Sequence, residues 1–256
     1  MTCDSASLIK RLHIKDSQFG DVFLKNSTII NTQIENSKLG LVDVQYSTIE
    51  GITVAKGSVL TGISLHYLIG GKIVDIRDSI VFRSLVRIDK ALMFVISNSK
   101  VYTIRLFSNV LVKDTLFSVS DTGVAEVEIR SMINMGVMTF NNVYPLTEVV
   151  IFEMKEKIAA IDSDGRYILE KKKVDISKFS LVNSDLGKTT FINCDLSAFK
   201  QFVFLNTKML ETFVADTILP HVDKISSLEE KNAGVALLEQ QRLALGQFKK
   251  IYENRG

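Results

Sequence analysis

The sequence is poor in the residues that most often announce a fold or a chemistry. Cysteine occurs twice, at Cys3 and Cys194, far apart and in no CxxC pair, which argues against a disulfide framework or a thiolate zinc site and fits a reducing compartment. Proline stands only at Pro145 and Pro220, and no Pro-, Gly- or Ser-rich stretch marks a linker between domains. Tryptophan is absent, and with it the aromatic platform best suited to sugar rings. Neither sign of charge dominates: 31 Lys and Arg against 29 Asp and Glu leave a formal charge of +2, so no global field draws the chain to nucleic acid or anionic lipid. Residues 1–12 lack the apolar run of a signal peptide, and no segment approaches the roughly 20 apolar residues of a membrane span, so a soluble, cytoplasmic protein is expected. What is abundant is apolar side chain: 46% of the 256 residues are hydrophobic, enough for a sizeable core.

Those apolar residues are ordered. One falls at every fifth position through Ile14, Phe19, Leu24, Ile29, Ile34, Leu39, Val44, Ile49, Val54 and Val59. The position two residues earlier also repeats, small alternating with mostly β-branched: Ser17, Val22, Ser27, Thr32, Ser37, Val42, Ser47, Ile52, Gly57. A step of five suits neither helix nor flat strand. Both periods follow if the chain winds as a coil of about 20 residues with four similar sides, each pointing one large and one smaller residue inward, so that Phe19, Leu39 and Val59 stack. Before the small residues stand Asp16, Asn26, Asn36, Tyr46 and Lys56, and Asp or Asn side chains can hydrogen-bond the backbone at the corners of such a coil.

A second block repeats the step with Ile176, Leu181, Leu186, Phe191 and Leu196, preceded at minus two by Val174, Phe179, Ser184, Thr189 and Cys194. After a three-residue slip it resumes through Phe199, Phe204, Met209, Val214 and Leu219, with Asn206-Thr207 and Asp216-Thr217 as corners. Segments 192-INCDL-196, 205-LNTKM-209 and 35-ENSKL-39 resemble the A(N/D)LxX unit of pentapeptide-repeat proteins, over about 12–62 and 174–219. Ser, Thr and Val here replace most of the family's alanines. The resemblance implies a right-handed parallel β-helix of four-sided coils.

Between the blocks, residues 63–173 lose the strict step but keep β-rich runs (92-LMFVIS-97, 110-VLVK-113, 124-VAEVEI-129, 149-VVIFEM-154) and corner pairs at Asp78-Ser79, Asn98-Ser99, Asp114-Thr115 and Asn141-Asn142. A continuous, irregular β-helix is the reading adopted for this stretch, over an inserted antiparallel sheet whose best evidence is the hairpin-like 161-IDSDGRYIL-169. The fold class expected is thus mainly β, a solenoid over 1–222, followed by an α-helical segment over 223–256. That segment opens with a capping box at Ser227 and Glu230, and its second half carries Leu238, Leu245, Phe248 and Tyr252 on one stripe. The stripe is expected to cap the open end of the solenoid or to join two copies of the chain as a homodimer. The last 18 residues also resemble the helix that follows the repeats in long bacterial pentapeptide-repeat proteins, which implies that the native chain extends beyond Gly256.

No constellation for catalysis emerges, so no catalytic, cofactor-binding or metal-ligating residue is assigned. His13, His66 and His221 are scattered outside any ligand spacing. Cys194 falls on a small inward position, where a thiol is an apolar filler. Asp162-Ser163-Asp164-Gly165 opens like a calcium loop without a clear closing acid, and reads as a tight turn. Lys171-Lys172-Lys173, near Arg166, reads as a solvated strand edge before it reads as a phosphate contact. Gly70-Gly71-Lys72 lacks the spacing of a phosphate loop.

Because coil packing accounts for every recurrent residue, the expected function is a non-catalytic scaffold or protein-interaction module with flat working sides and an unidentified protein partner. Two alternatives stand beside it: a β-helix carbohydrate-active enzyme, which needs clustered acids and aromatic platforms, and a DNA-mimicking protector of topoisomerases, which the family resemblance suggests and which needs a strongly acidic surface.

Overall fold

A side chain that must be buried every fifth residue, on a backbone that cannot be helical, can only be accommodated by turning the chain regularly so that successive short strands face a common axis. The structure, a computed structural model, describes residues 2–3, 8–49, 52–66, 73–87, 93–107, 116–131, 135–154, 167–174, 177–220 and 225–226, together with Gly246 and Lys249. Within them the chain forms a parallel β-solenoid in which each strand lies on the corresponding strand of the previous coil. Hydrogen bonds between equivalent corner residues span 20 positions at Ser17–Ser37, 21 at Ser37–Ser58 and 23 at Cys194–Thr217, so the coil widens toward the C-terminal side.

The first coils are four-sided, with strands Leu12–Lys15, Gln18–Phe19, Val22–Lys25 and Thr28–Ile29 before Thr32–Glu35 begins the next turn. From Lys38–Gln45 onward the second and third sides fuse into one eight-residue strand, repeated as Val59–His66, Ile80–Arg87 and Lys100–Phe107. Two broad faces result. Along the first, the inward register runs Ile14, Ile34, Ile76, Ile96, Val119, Phe140, Phe191, with Ala55 at the backbone level between Ile34 and Ile76. Along the second it runs Val22, Val42, Ile63, Ser84, Ile104, Val127, Phe179, Phe202. Neighbours in each strand point outward, giving the alternating burial of Val22–Lys25 and Thr32–Glu35.

The five-step reading holds where it is regular: Ile14, Leu24, Ile29, Ile34, Leu39 and Val44, then Leu181, Leu186, Phe191, Leu196, Phe199, Phe204 and Leu219, are all buried. It fails at the end of the first block. One extra residue enters the coil between Ile49 and Ile52, so Leu39 pairs with Leu60 while Val59 falls opposite Lys38 and is half-buried. The same slip moves the corner from Lys56 to Gly57, whose φ of +61° is in the left-handed region and where a Cβ would lie 2.6 Å from the Asn36 Oδ1. In the second block the three-residue slip is a 3-10 turn, Leu196–Ala198, capped by the Asp195 carboxylate accepting from the Ala198 N–H.

The corner residues adopt left-handed backbone as anticipated at Asp16, Asn26, Asn36, Tyr46, Asp78, Asn98, Asn206 and Asp216, and also at Asp121, Ser131, Asn183 and Asn193. Asn142, not Asn141, holds the corner of its coil. Asp114-Thr115 lies outside the described residues. Serine and threonine behind these corners form a second ladder. The Ser37 hydroxyl donates to Glu35 O (2.7 Å) and accepts from Ser17 N (3.2 Å), and Ser58, Ser79 and Ser99 repeat the pattern upward. Outside, Asn98 donates to Asp78 (2.6 Å), Asn142 to Asp121 (2.9 Å) and Asn206 to Asn183 (3.3 Å).

Residues 63–173 contain both architectures weighed for them. The solenoid continues through 145; an antiparallel pair, Glu148–Met154 with Tyr167–Lys173, is then inserted, and the coil resumes at Lys178 opposite Glu126. Two registers meet here: Val124 pairs with Pro145 on one side of the insertion and Glu126 with Lys178 on the other. Leu146 seats against Gly123, where a Cβ would come within 2.4 Å of its Cδ2. The turn at 161–166, including Asp162, Asp164 and Arg166, lies outside the described residues, as do Gly70-Gly71-Lys72 and His221. The C-terminal segment, including Leu238, Leu245, Phe248 and Tyr252, also lies outside them, except that Gly246 and Lys249 have helical backbone. Ile225–Ser226 is a strand, not part of a helix: it pairs in parallel with Phe202–Val203, one coil beyond the pairing of Phe179 with Phe202. Among the described residues the one helical element is the 3-10 turn.

Candidate interaction surface

A solenoid whose inward positions are filled by packing has only its outward positions left for function. On the second face the outward positions near the serine corner carry Phe82 stacked on Tyr102, centroids 4.8 Å apart and planes at 14°. They pack against a small cluster of Ala125, Leu146 and Val174, which anchors the root of the inserted hairpin outside the tube.

Farther across the same face, Leu85, Arg105, Leu106, Phe107, Glu128, Arg130 and Ser131 line an open groove of about 410 Å³. Register dictates its charge arrangement, since Arg105 lies beside Glu128 on the next coil, and Thr103 beside Glu126. The Arg105 Nε is 3.1 Å from Glu128 Oε2, its Nη2 3.5 Å from Glu126 Oε2, and the Arg130 Nη2 is 2.8 Å from Glu128 Oε1. Glu128 thus bridges two guanidinium groups. Each Arg offers five N–H donors in a planar fork, and with about half of both side chains exposed, donors remain to face solvent or a partner. The two carboxylates are tied to Arg105, an arrangement that neutralises charge and suits planar, hydrogen-bonding recognition flanked by Leu85 and Phe107.

The first face has a different exterior. Ile73, Met93, Leu116 and Val137 follow one another in outward register over four coils, Met93 exposed and the others half-buried. Below them Arg77 pairs with Asp75, whose carboxylate is largely buried; the Arg77 Nε donates to Asp75 Oδ1 (2.8 Å), and that hydrogen bond with its charge holds the guanidinium pKa above its usual value. Neither this stripe nor the arginine groove was visible to the five-step reading, which loses its frame after Val59; the outward positions become readable only once the register is known.

The residues singled out from sequence are dispersed. The His13 Nε2 lies 3.6 Å from Glu35 Oε2 on the exposed first face, and His66 sits on the second face opposite Gln45. Cys194 is buried and takes the part of a ladder serine: its thiol donates to Ile192 O (3.2 Å), two residues back, and its N–H donates to Thr217 Oγ1 (3.2 Å). Burial pushes the thiol pKa up, outweighing the nearby backbone hydrogen bonds that favour the thiolate, which keeps it in the unreactive neutral form. Lys171, Lys172 and Lys173 lie on the hairpin strand opposite Val150, Val149 and Glu148. Among the described residues no three His, Cys, Asp or Glu side chains converge as a metal site, and no helix is long and apolar enough to cross a membrane.

No known protein family, curated protein or solved structure matches the chain.

Proposed function

We propose that the chain is a non-catalytic scaffold, a divergent relative of the pentapeptide-repeat proteins wound in the right-handed sense that parallel crossovers favour, which binds a protein partner through the arginine groove of its second face. The observation that carries the proposal is the division of labour between inward and outward positions. The recurrent Ser, Thr, Asn and Asp side chains are engaged in coil-to-coil hydrogen bonds at the corners. Among the polar groups left pointing outward are guanidinium forks flanked by Leu85 and Phe107, the combination that recurs at the centres of protein interfaces. A DNA-mimicking role fits less well, because Arg105 and Arg130 interrupt any negative stripe along this face. A reducing, cytoplasmic setting belongs to the same proposal and rests on the scarcity of cysteine.

The test is quantitative affinity capture from cells that make the protein, with the native chain beside the double variant Arg105→Gln/Arg130→Gln. A partner held stoichiometrically by the native chain and lost from the variant, at unchanged thermal unfolding, supports the proposal. Equal capture by both chains, or turnover of an oligosaccharide by the purified protein, overturns it.

A further inference from the structure

The register of the second face gathers charge that the chain as a whole lacks. Over four successive coils, the positions that alternate with buried Ser84, Ile104, Val127 and Phe179 hold five cationic residues, Arg83, Arg87, Arg105, Arg130 and Lys178, against two carboxylates, Glu126 and Glu128. That surplus of three exceeds the +2 of the entire chain, so the face is a basic patch on an otherwise nearly neutral molecule.

The two signs also differ in reach. The Arg105 and Arg130 side chains are 44% and 54% exposed, those of Glu126 and Glu128 27% and 19%. The carboxylates therefore lie low and hold the guanidinium groups, which meet the solvent with more donors than these contacts use. The groove they share, about 410 Å³, is within the range of about 300–1,000 Å³ typical of sites for one small ligand, so it admits a short segment of chain rather than a folded surface. Arg105 is level with Glu128 on the next coil, which sets Arg130 one coil over and two residues along. At about 4.8 Å between strands and about 3.4 Å per residue, the two arginine Cα atoms are about 8 Å apart, close to the roughly 7 Å between alternate residues of an extended chain.

We infer that the groove takes an extended acidic segment of its protein partner, with Asp or Glu at alternate positions, one carboxylate on the Arg105 fork and the next on the Arg130 fork, while Leu85 and Phe107 hold the segment's apolar atoms. The inference rests on the reading of this groove as a protein-binding surface and names what the partner brings to it. A nucleic-acid strand fits less well: its phosphates follow one another without interruption, and the Glu128 carboxylate between the two guanidinium groups repels the one that lies over it.

The experiment titrates the full chain, by fluorescence anisotropy at low salt, with a labelled peptide of about eight residues alternating glutamate and threonine, with its glutamine counterpart, and with an oligodeoxythymidylate of similar length. The glutamate peptide is expected to bind at least about tenfold more tightly than the glutamine peptide, and to weaken as ionic strength rises past about 0.1 M. Arg130→Gln, which leaves Glu128 its contact with Arg105, should weaken it about fivefold, and Arg130→Lys, which keeps the charge and loses the fork, about twofold. Lys25→Gln, on the same face several coils away, should leave the affinity unchanged. Equal affinity for the glutamate and glutamine peptides, or tighter binding of the oligonucleotide, overturns the acidic segment; affinity capture that still depends on Arg105 and Arg130 would then keep the groove with a partner of other chemistry. Charge-dependent binding that Arg130→Gln leaves unchanged overturns the groove as well, because it puts the acidic segment elsewhere. The two peptides on the native chain decide charge recognition by themselves if a substitution costs the fold.

Discussion

The two ends of the tube solve the same packing problem with different side chains. In the N-terminal coils the core is aliphatic, built from Ile14, Val22, Leu24, Ile29, Ile34, Leu39, Val42 and Val44, and it encloses a cavity of about 20 Å³. In the C-terminal coils it is a column of rings: Phe94 stacks on Phe117 at 5.7 Å, Phe140 on Phe191 at 5.2 Å and Phe179 on Phe202 at 5.4 Å, with edge-on contacts between the stacks. Coil length is 20 residues at Ser17–Ser37 and 23 at Phe94–Phe117 and at Phe179–Phe202. The difference teaches that the fold fixes the direction each residue points, whereas the circumference adjusts, by residues added at corners, to whatever must be enclosed.

The harshest way to break this comparison is to place a charge on each axis. Leu39→Asp and Phe191→Asp both bury an unpaired carboxylate, at a cost of several kcal/mol (roughly), and both should abolish cooperative thermal unfolding of the surrounding coils. Unchanged melting of either variant would remove that residue from the interior. Truncation separates the two cores more finely. Phe179→Ala, which strips contacts from Phe140, Phe191, Phe199 and Phe202, should cost about 3–5 kcal/mol in denaturant unfolding; Ile34→Ala, beside the existing cavity, should fall nearer about 2–3 kcal/mol. Equal losses would mean that the rings contribute no more than their aliphatic counterparts.

Smaller effects test the ladders. Ser37→Ala leaves the Ser17 N–H and the Glu35 carbonyl without their shared hydroxyl and should lower stability by about 1–2 kcal/mol, read as a shift in urea midpoint at constant slope. Smallest, and of opposite sign, is Ser84→Val. The Ser84 hydroxyl is buried between the Ile63 and Ile104 levels with no hydrogen-bond partner among the described residues, and its replacement by an apolar side chain should raise stability by about 1 kcal/mol.

Much of this tube was legible in the sequence, and the part that was not has a physical cause. Five-residue periodicity reveals inward positions only while every coil keeps the same length. Leu24, Ile34 and Phe191 were therefore placed correctly, whereas Val59 was assigned the site that Leu60 occupies, since one inserted residue reverses which side chain faces the axis. Corner residues survive such slips better, because a left-handed backbone selects Asn, Asp or Gly locally; Asp78 and Asn98 were found in the irregular stretch for that reason, although Asp121 and Ser131 were not. The hairpin at 148–173 was recognised only as an alternative, since alternation inside it matches a solenoid strand equally well. The arginine groove had no signature at all: Arg105, Glu128 and Arg130 become neighbours through a coil offset of 23 residues that no motif encodes.

Outward residues on the second face give the most direct check on the winding itself. Phe23, Asp43, Ser64, Leu85 and Arg105 follow one another in parallel register, so spin labels at Phe23→Cys and Arg105→Cys, with Cys3→Ser, are four strand spacings apart. Pulsed electron paramagnetic resonance should return one distance near about 19 Å, from about 4.8 Å per strand. A distance beyond about 30 Å, or a broad distribution without a peak near the expected value, would contradict a parallel coil and with it the division into inward packing and outward surface.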